Sequence, residues 1–554
     1  MPRLPAILWA LLTGDLVKLL LLTTTVLVGL IAFVAGLQPL ADGKIGPDQA
    51  VRFMGLAVVP MLQFALPFAS AFAATLTYHR FSSENEALAA HAGGVPHRSL
   101  LVPALLVGIA LTGVTALLTQ QVIPGFLRQM ETLITRNVAA VVEGRIERGE
   151  VVSLGGFALS ARDVSRIGPD PQVGAVDRLY LSGVLVSMPD SDPQTFDPYL
   201  NAETVGVWFF EEADENGPYT AVQLVAENAN YDGEHDFNRS RGKLHTRRVR
   251  VPGSFSDDPK FYTSAQLDEL DREPGRISQV NALRVRLARE LARAEAIDAL
   301  RARLTQRNEA LLLRGDERLL VRAADLVPDE RIDGAFRFRP LVAGDPVRVE
   351  ARLGSGATRD LQARTLRLRF DDAASAGAGV EFGLEYEGVR VVEGDEGSAP
   401  AERDALEQSG VFIEGDPGAD LLAERSSALL ARALDHRQTS PRAPMIAQAA
   451  TRLSDRIDDL RREVLSKRHE RIAYSGAAAL MVLIGAAAGL RLRDAMPLPV
   501  YLWSFLPALA CVIGIATGQS WTHESGAIGL TVTYGSVEAL AAVALVEFLR
   551  LRRH

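Results

Sequence analysis

Few residues in this chain have the type and spacing to do chemistry, and most of those are charges beside apolar sequence. Lys467, Arg468 and Arg471 crowd the start of one apolar stretch, and Arg128 follows another, so these cations are candidates for contact with anionic lipid headgroups. A solvated helix end is the plainer reading of the same run. Glu538 lies in the middle of a further apolar stretch, where a carboxylate is a candidate for proton relay or substrate contact. Its plainer reading is a protonated or hydrogen-bonded packing residue, with Tyr534 one turn away as partner. Asp190, Asp192 and Asp197 resemble part of a calcium loop, but the loop's glycine and terminal glutamate are missing, and a Pro-rich surface turn fits better. There is no G-x-x-x-x-G-K-[ST], no H-E-x-x-H and no C-x-x-C, and the nine histidines are scattered. The expectation is therefore no catalytic residue, no metal and no nucleotide-phosphate cradle. A chain of this kind moves or binds something.

The elements that hold these residues begin with six stretches, 16–37, 54–78, 99–123, 472–490, 499–517 and 527–548, in which the only charges are Lys18, Glu538 and Glu547. A bilayer core of about 30 Å needs roughly 20 apolar residues per helix, so each stretch reads as a membrane span and a purely soluble enzyme is excluded. Lys18 and Glu547 lie near span ends and are expected to snorkel. Residues 4–12 are expected to form a short interfacial helix before the first span. Six spans put both termini on one side. If that side is the cytoplasm, the inside segments carry Arg3, Arg80, Arg98, Arg491, Arg493, Arg550, Arg552 and Arg553 against Lys44 and Arg52 outside, as the positive-inside rule requires. The segment 124–471 then lies outside. A net charge of −9 over 554 residues argues against a nucleic-acid partner, and one cysteine, Cys511, precludes an intrachain disulfide.

Within the large polar insertion, residues from about 130 to 265 read as β. The runs LYLSGVLVSM (179–188), TVGVWFF (204–210) and YTAVQLVAENANYDG (219–233) are separated by turn clusters, which suggests a sandwich or jelly roll. Around 280–312 the period becomes helical, with Leu283, Leu287, Leu291, Ala294, Ile297, Leu300 and Leu304 on one stripe. A second β-like block is expected at about 316–395, a linker at 396–418, and helices at about 418–436 and 444–470, the last running into the fourth span.

The loop between spans two and three, RFSSENEALAAHAGG (80–94), is the most informative segment. Ser83 followed by Glu86 has capping-box spacing, and Gly93-Gly94 with Pro96 closes the end, so a helix of about two turns is expected over 83–93. A docking element and a simple connector both fit it.

With this loop, the ADGKIGP turn (41–47), Pro60 and Pro67 in span two, and SKRHERIAYS (466–475), the sequence resembles the LptF/LptG (YjgP/YjgQ) family, the permeases of the lipopolysaccharide-export ABC transporter. The resemblance implies a non-enzymatic permease that extracts lipopolysaccharide from the inner membrane and passes it through a periplasmic jelly roll. It implies a second LptF/LptG-like subunit, an LptB-like cytoplasmic ATPase dimer that hydrolyses the ATP, and LptC/LptA-like bridge proteins, with no cofactor in this chain. Glu84, Glu86, His91 and Gly93 would belong to the ATPase-coupling helix, and Lys467, Arg468, Arg471 and Arg128 to a cationic rim. The expected fold class is an α-helical inner-membrane protein with six transmembrane helices (3+3) and a large inserted periplasmic β-jelly-roll-like domain, plus an additional mixed α/β insertion. Its parts are an N-terminal membrane half (1–124), the jelly roll (125–270), the extra insertion (271–440), and a return helix with the C-terminal membrane half (441–554). The alternative from another class is an envelope-sensing or mechanotransmission protein with a large extracytoplasmic ligand-binding domain.

Overall fold

The computed structural model describes residues 6–41, 47–135, 138–154, 157–187, 200–214, 217–231, 239–240, 243–245, 248–250, 258–332, 334–353, 357–370, 380–393, 401–414, 418–436 and 442–551. The chain divides into two units. One combines Met1–Asp232, Arg241–Glu273 and Asp459–His554, and the other combines Gly233–Ser240 and Pro274–Asp458.

Among the described residues, the first unit holds six helices long and apolar enough to cross a membrane. The first span is Ala6–Ala41 and the second Pro47–Ser83. The third runs through Val102–Leu117, a π-helical turn at Leu118–Val122, and Ile123–Thr135. The fourth is the end of the 49-residue helix Ala443–Arg491, followed by Pro497–Ser525 and Ala527–Leu551. A helix satisfies its own backbone groups, which is what a chain crossing hydrocarbon requires. The short interfacial helix expected at 4–12 is not separate: from Ala6 onward it is continuous with the first span, because neither Gly14 nor Asp15 breaks the hydrogen-bond ladder. Leu12, Leu16, Leu66, Tyr78, Leu100, Leu111 and Val482 form one apolar cluster between the helices, and Ala477, Met481, Cys511, Ile515 and Leu540 belong to another. Small residues let the helices approach. A Cβ on Gly489 would lie 2.7 Å from the His79 backbone nitrogen, and one on Gly529 would lie 2.6 Å from the Gly518 carbonyl oxygen. In the fourth span 72% of the most apolar stretch is buried, against 22% in the first and 17% in the sixth, so those two turn most of their surface outward.

Where a β pattern was expected from about 130, the chain is still helical. Val138–Glu147 forms a helix because Ala139, Val142 and Ile146 fall on one face, and all three pack into the core of the sheet that follows. That sheet begins at Val152 and is antiparallel, with nine strands curved into an open half-barrel. Its three long strands are Asp177–Ser187, Leu200–Asp214 and Gly217–Tyr231. The register sets Leu179 opposite Val207 and Val207 opposite Leu224, with Leu181, Val205 and Ala226 in the next row, so alternate residues bury one shared face. The turn carrying Asp190, Asp192 and Asp197 lies outside the described residues.

The second unit is built on the helix Ser278–Arg307, whose expected stripe is buried at Leu287, Leu291, Ala294, Ile297, Leu300 and Leu304, with Leu283 half-buried. The strands Glu309–Arg314, Glu317–Arg322, Val347–Arg352, Thr358–Phe370, Phe382–Glu393 and Ala401–Ile413 pair in that order. The last pairs back on the first, closing a six-stranded antiparallel barrel and leaving no open edge within the ring. A hairpin of Asp325–Pro328 and Phe336–Arg339 attaches to the strand Thr358–Phe370. The linker expected at 396–418 is therefore wrong over 401–413, which is the closing strand. Its charges point outward, and only Gln408, Val411 and Ile413 are buried, so its composition resembles that of a linker.

Candidate functional site

The loop between spans two and three folds as a helix, Glu86–Ala92, but not by the expected cap. The second span runs through Ser83, whose hydroxyl donates back to the Arg80 carbonyl (3.1 Å), and Asn85 instead turns the chain with φ at 62°. Asn tolerates this left-handed conformation, which ends one helix and starts the next. At the other end the Val95 and Gly94 N–H groups return to the carbonyls of Ala90 and His91, and Gly94 takes a φ of 83° that a side chain would resist. Ala87 is buried in the apolar cluster of the spans, with Ala90 and Val95 against it, while Glu84, Glu86, Leu88 and Gly93 are exposed. Glu84 accepts from Arg80 Nε at 2.9 Å. His91 Nδ1 donates to the Val95 carbonyl (2.7 Å), and its ring meets that of His97 edge-on at 4.0 Å.

This helix is fastened on both flanks. The buried Tyr78 hydroxyl donates to the Leu100 carbonyl (3.0 Å) and accepts from the Ala104 N–H (3.2 Å), locking span two to the start of span three. His79 Nε2 donates to the Ala495 carbonyl (2.9 Å), and Ser82 donates to the Leu490 carbonyl (3.1 Å), tying the end of span two to the turn between spans four and five. Trp9 Nε1 donates to the Ser99 carbonyl at 2.8 Å. None of these four residues follows from periodicity, because each reaches a carbonyl distant in sequence.

The basic entry to span four is more fully engaged than a bare cationic rim. Lys467 Nζ lies 2.8 Å from Glu470 Oε2, and the Gln519 amide bridges the pair, its oxygen accepting from Lys467 (2.6 Å) and its nitrogen donating to Glu470 Oε1 (3.1 Å). Arg471 is buried, with Nη2 donating to the Tyr262 carbonyl (2.8 Å). Arg468 pairs with Asp268 at the surface, and Arg128 is exposed on the third span's extension.

The family model for lipopolysaccharide export system permease LptF/LptG matches residues 7–169. Over that segment the chain is similar to the LptF/LptG family. The match takes in spans one to three, the loop helix and the first strands of the half-barrel. A search of curated proteins found no match. The similarity, together with the six apolar helices among the described residues, supports a multi-pass inner-membrane protein of the lipopolysaccharide-export permease type.

The sixth span also holds two carboxylates. Glu538 is exposed on the sixth span and does not meet Tyr534, whose hydroxyl lies 2.7 Å from His469 Nδ1 instead. Glu547 does not snorkel. Only 2% of its side chain is exposed, and Oε2 lies 3.0 Å from Arg491 Nε while Trp503 Nε1 donates to Oε1 (3.2 Å), joining the ends of spans four, five and six. Its position near the span end gives the snorkelling expectation; the decisive partner, Arg491, is remote in sequence.

Proposed function

We infer that this chain is the permease subunit of an ABC transporter that lifts lipopolysaccharide from the inner membrane, powered by an LptB-like ATPase that docks on the helix Glu86–Ala92. The observation that carries this reading is the helix itself: it is short, anchored by Ala87, and clamped to the spans by Tyr78, His79 and Ser82, while Glu84, Glu86 and Leu88 face outward. A rigidly fastened helix with an exposed acidic and apolar face can take a push from a partner and pass it to spans two, three and four. In this reading both termini and the loop are cytoplasmic, and the half-barrel and the six-stranded barrel are periplasmic. A second LptF/LptG-like subunit covers the outward faces of the spans, and LptC/LptA-like proteins receive the lipid. Of the candidate rim residues, Arg468 and Arg128 meet the anionic phosphates, since their heads reach the surface and the pair with Asp268 is exposed and weak. Lys467 and Arg471 hold the entry of span four in place. Affinity purification from native membranes tests the docking: an ATPase should co-purify and be lost on Glu86→Lys, and recovery of equal ATPase with the variant would overturn it.

A further inference from the structure

On the outer face of the six-stranded barrel, Arg318 stands opposite Arg352 and Arg322 opposite Arg348. Like charges placed directly across two strands destabilise a sheet, and of these four arginines Arg322 alone has a carboxylate, Glu309, opposite it on its other neighbouring strand. The second row continues across the sheet, Arg348 facing Gln362 and Gln362 facing Arg390. With strands about 4.8 Å apart, Arg322, Arg348 and Arg390 mark out a cationic row roughly 14 Å long, and Arg318 and Arg352 lie four residues, about 13 Å, along the strands. All five arginines are exposed. Between the rows are two carboxylates: Glu350, which is shared by Arg352 (2.9 Å) and Arg322 (3.8 Å), and Asp360, which accepts from Gln362. Glu309 and Glu402 stand at the ends of the row, opposite Arg322 and Arg390, so the five arginines exceed the carboxylates among them by one.

The segment joining the strands Phe336–Arg339 and Val347–Arg352 starts at the same end of the sheet as Arg348. It carries Leu341 and Val342, which are 52% and 61% exposed, with Arg339 just before them. An apolar tip beside a cationic face is the pattern of a surface that dips side chains into a bilayer interface while arginines meet the headgroups. An acidic protein or a polyanionic glycan would satisfy the arginines, but would leave the tip without a role.

We propose that this barrel face docks on an anionic lipid surface, with Arg318, Arg322, Arg348, Arg352 and Arg390 on the headgroup phosphates and Leu341 and Val342 in the interface. The proposal does not depend on the coupling reading above. The test uses the full chain in phosphatidylcholine nanodiscs, mixed with vesicles of either phosphatidylcholine alone or phosphatidylcholine with phosphatidylglycerol, and measures flotation. The protein should float with the phosphatidylglycerol vesicles alone, and less so as salt is raised. Arg318→Gln, Arg322→Gln, Arg348→Gln and Arg352→Gln together should weaken binding by about fivefold per arginine, and Leu341→Ser with Val342→Ser should weaken it while keeping the salt dependence. These seven-residue faces are exposed, so unchanged tryptic resistance of residues 274–458 verifies the fold. Equal flotation of the fourfold variant, equal flotation with both vesicle types, or retention by heparin without phosphatidylglycerol binding would overturn the proposal.

Discussion

Arg367 gives the sharpest test of how the inserted barrel is held. Its guanidinium is 7% exposed, donates through Nε to Asp329 Oδ2 at 2.7 Å, and pairs through Nη1 with Glu387. Asp329 is 3% exposed and also accepts from the Arg331 N–H at 2.8 Å. That N–H first, and Arg367 after it, hold the Asp329 carboxyl below its ordinary range against the cost of burial. At an effective dielectric of 20, two charges 2.7 Å apart attract by about 6 kcal/mol. Much of this is offset by desolvation, and the loss on removing one partner of a buried pair is roughly 3–5 kcal/mol, because the other charge is left alone. Arg367→Met should therefore speed amide exchange in the strand Thr358–Phe370 by roughly a hundred- to several-thousandfold at neutral pH. Because the native carboxyl of Asp329 titrates below its unfolded value, its contribution is present above that unfolded value and is lost as pH falls through the native one. In the variant the carboxyl rises, so the difference from the wild-type protein should shrink in acid. Asp329→Asn in the Arg367→Met background should restore part of the protection. An exchange change below about fivefold, or no recovery in the double variant, would refute the reasoning.

Two further outcomes follow from the membrane helices. Gly529→Ala places a Cβ against the fifth span's backbone, where overpacking costs roughly 1–3 kcal/mol, and should lower the midpoint of thermal unfolding in detergent; an unchanged midpoint would show that spans five and six are not so close. Glu547→Gln leaves Arg491 without its counter-charge and should destabilise the chain, and Arg491→Met combined with it should recover stability, as measured by the same melt.

The spans were legible because lack of charge over some 20 residues is a local property, and so was the stripe of the helix Ser278–Arg307. The half-barrel's long strands showed themselves by alternation, whereas Val138–Glu147 looked like a strand because valine suits both structures, and only the spacing of Ala139, Val142 and Ile146 separates them. The closing strand Ala401–Ile413 was hidden by its own outward charges. At the candidate site, the two-turn helix was readable from its terminal glycines, but its true start at Asn85 depended on how far the preceding helix ran. The clamps of Tyr78, His79 and Ser82, the burial of Glu547 against Arg491, the hold of Gln519 on Lys467 and that of the Tyr262 carbonyl on Arg471 were not legible, since each is a contact between segments far apart in the chain.

The central claim is that this chain exports lipopolysaccharide, and depletion in its native cell tests it most directly. Separation of inner and outer membranes after depletion should show newly made lipopolysaccharide retained in the inner-membrane fraction, and restored to the outer membrane by the wild-type chain but not by Glu86→Lys. An unchanged distribution of lipopolysaccharide between the two membranes would contradict the account.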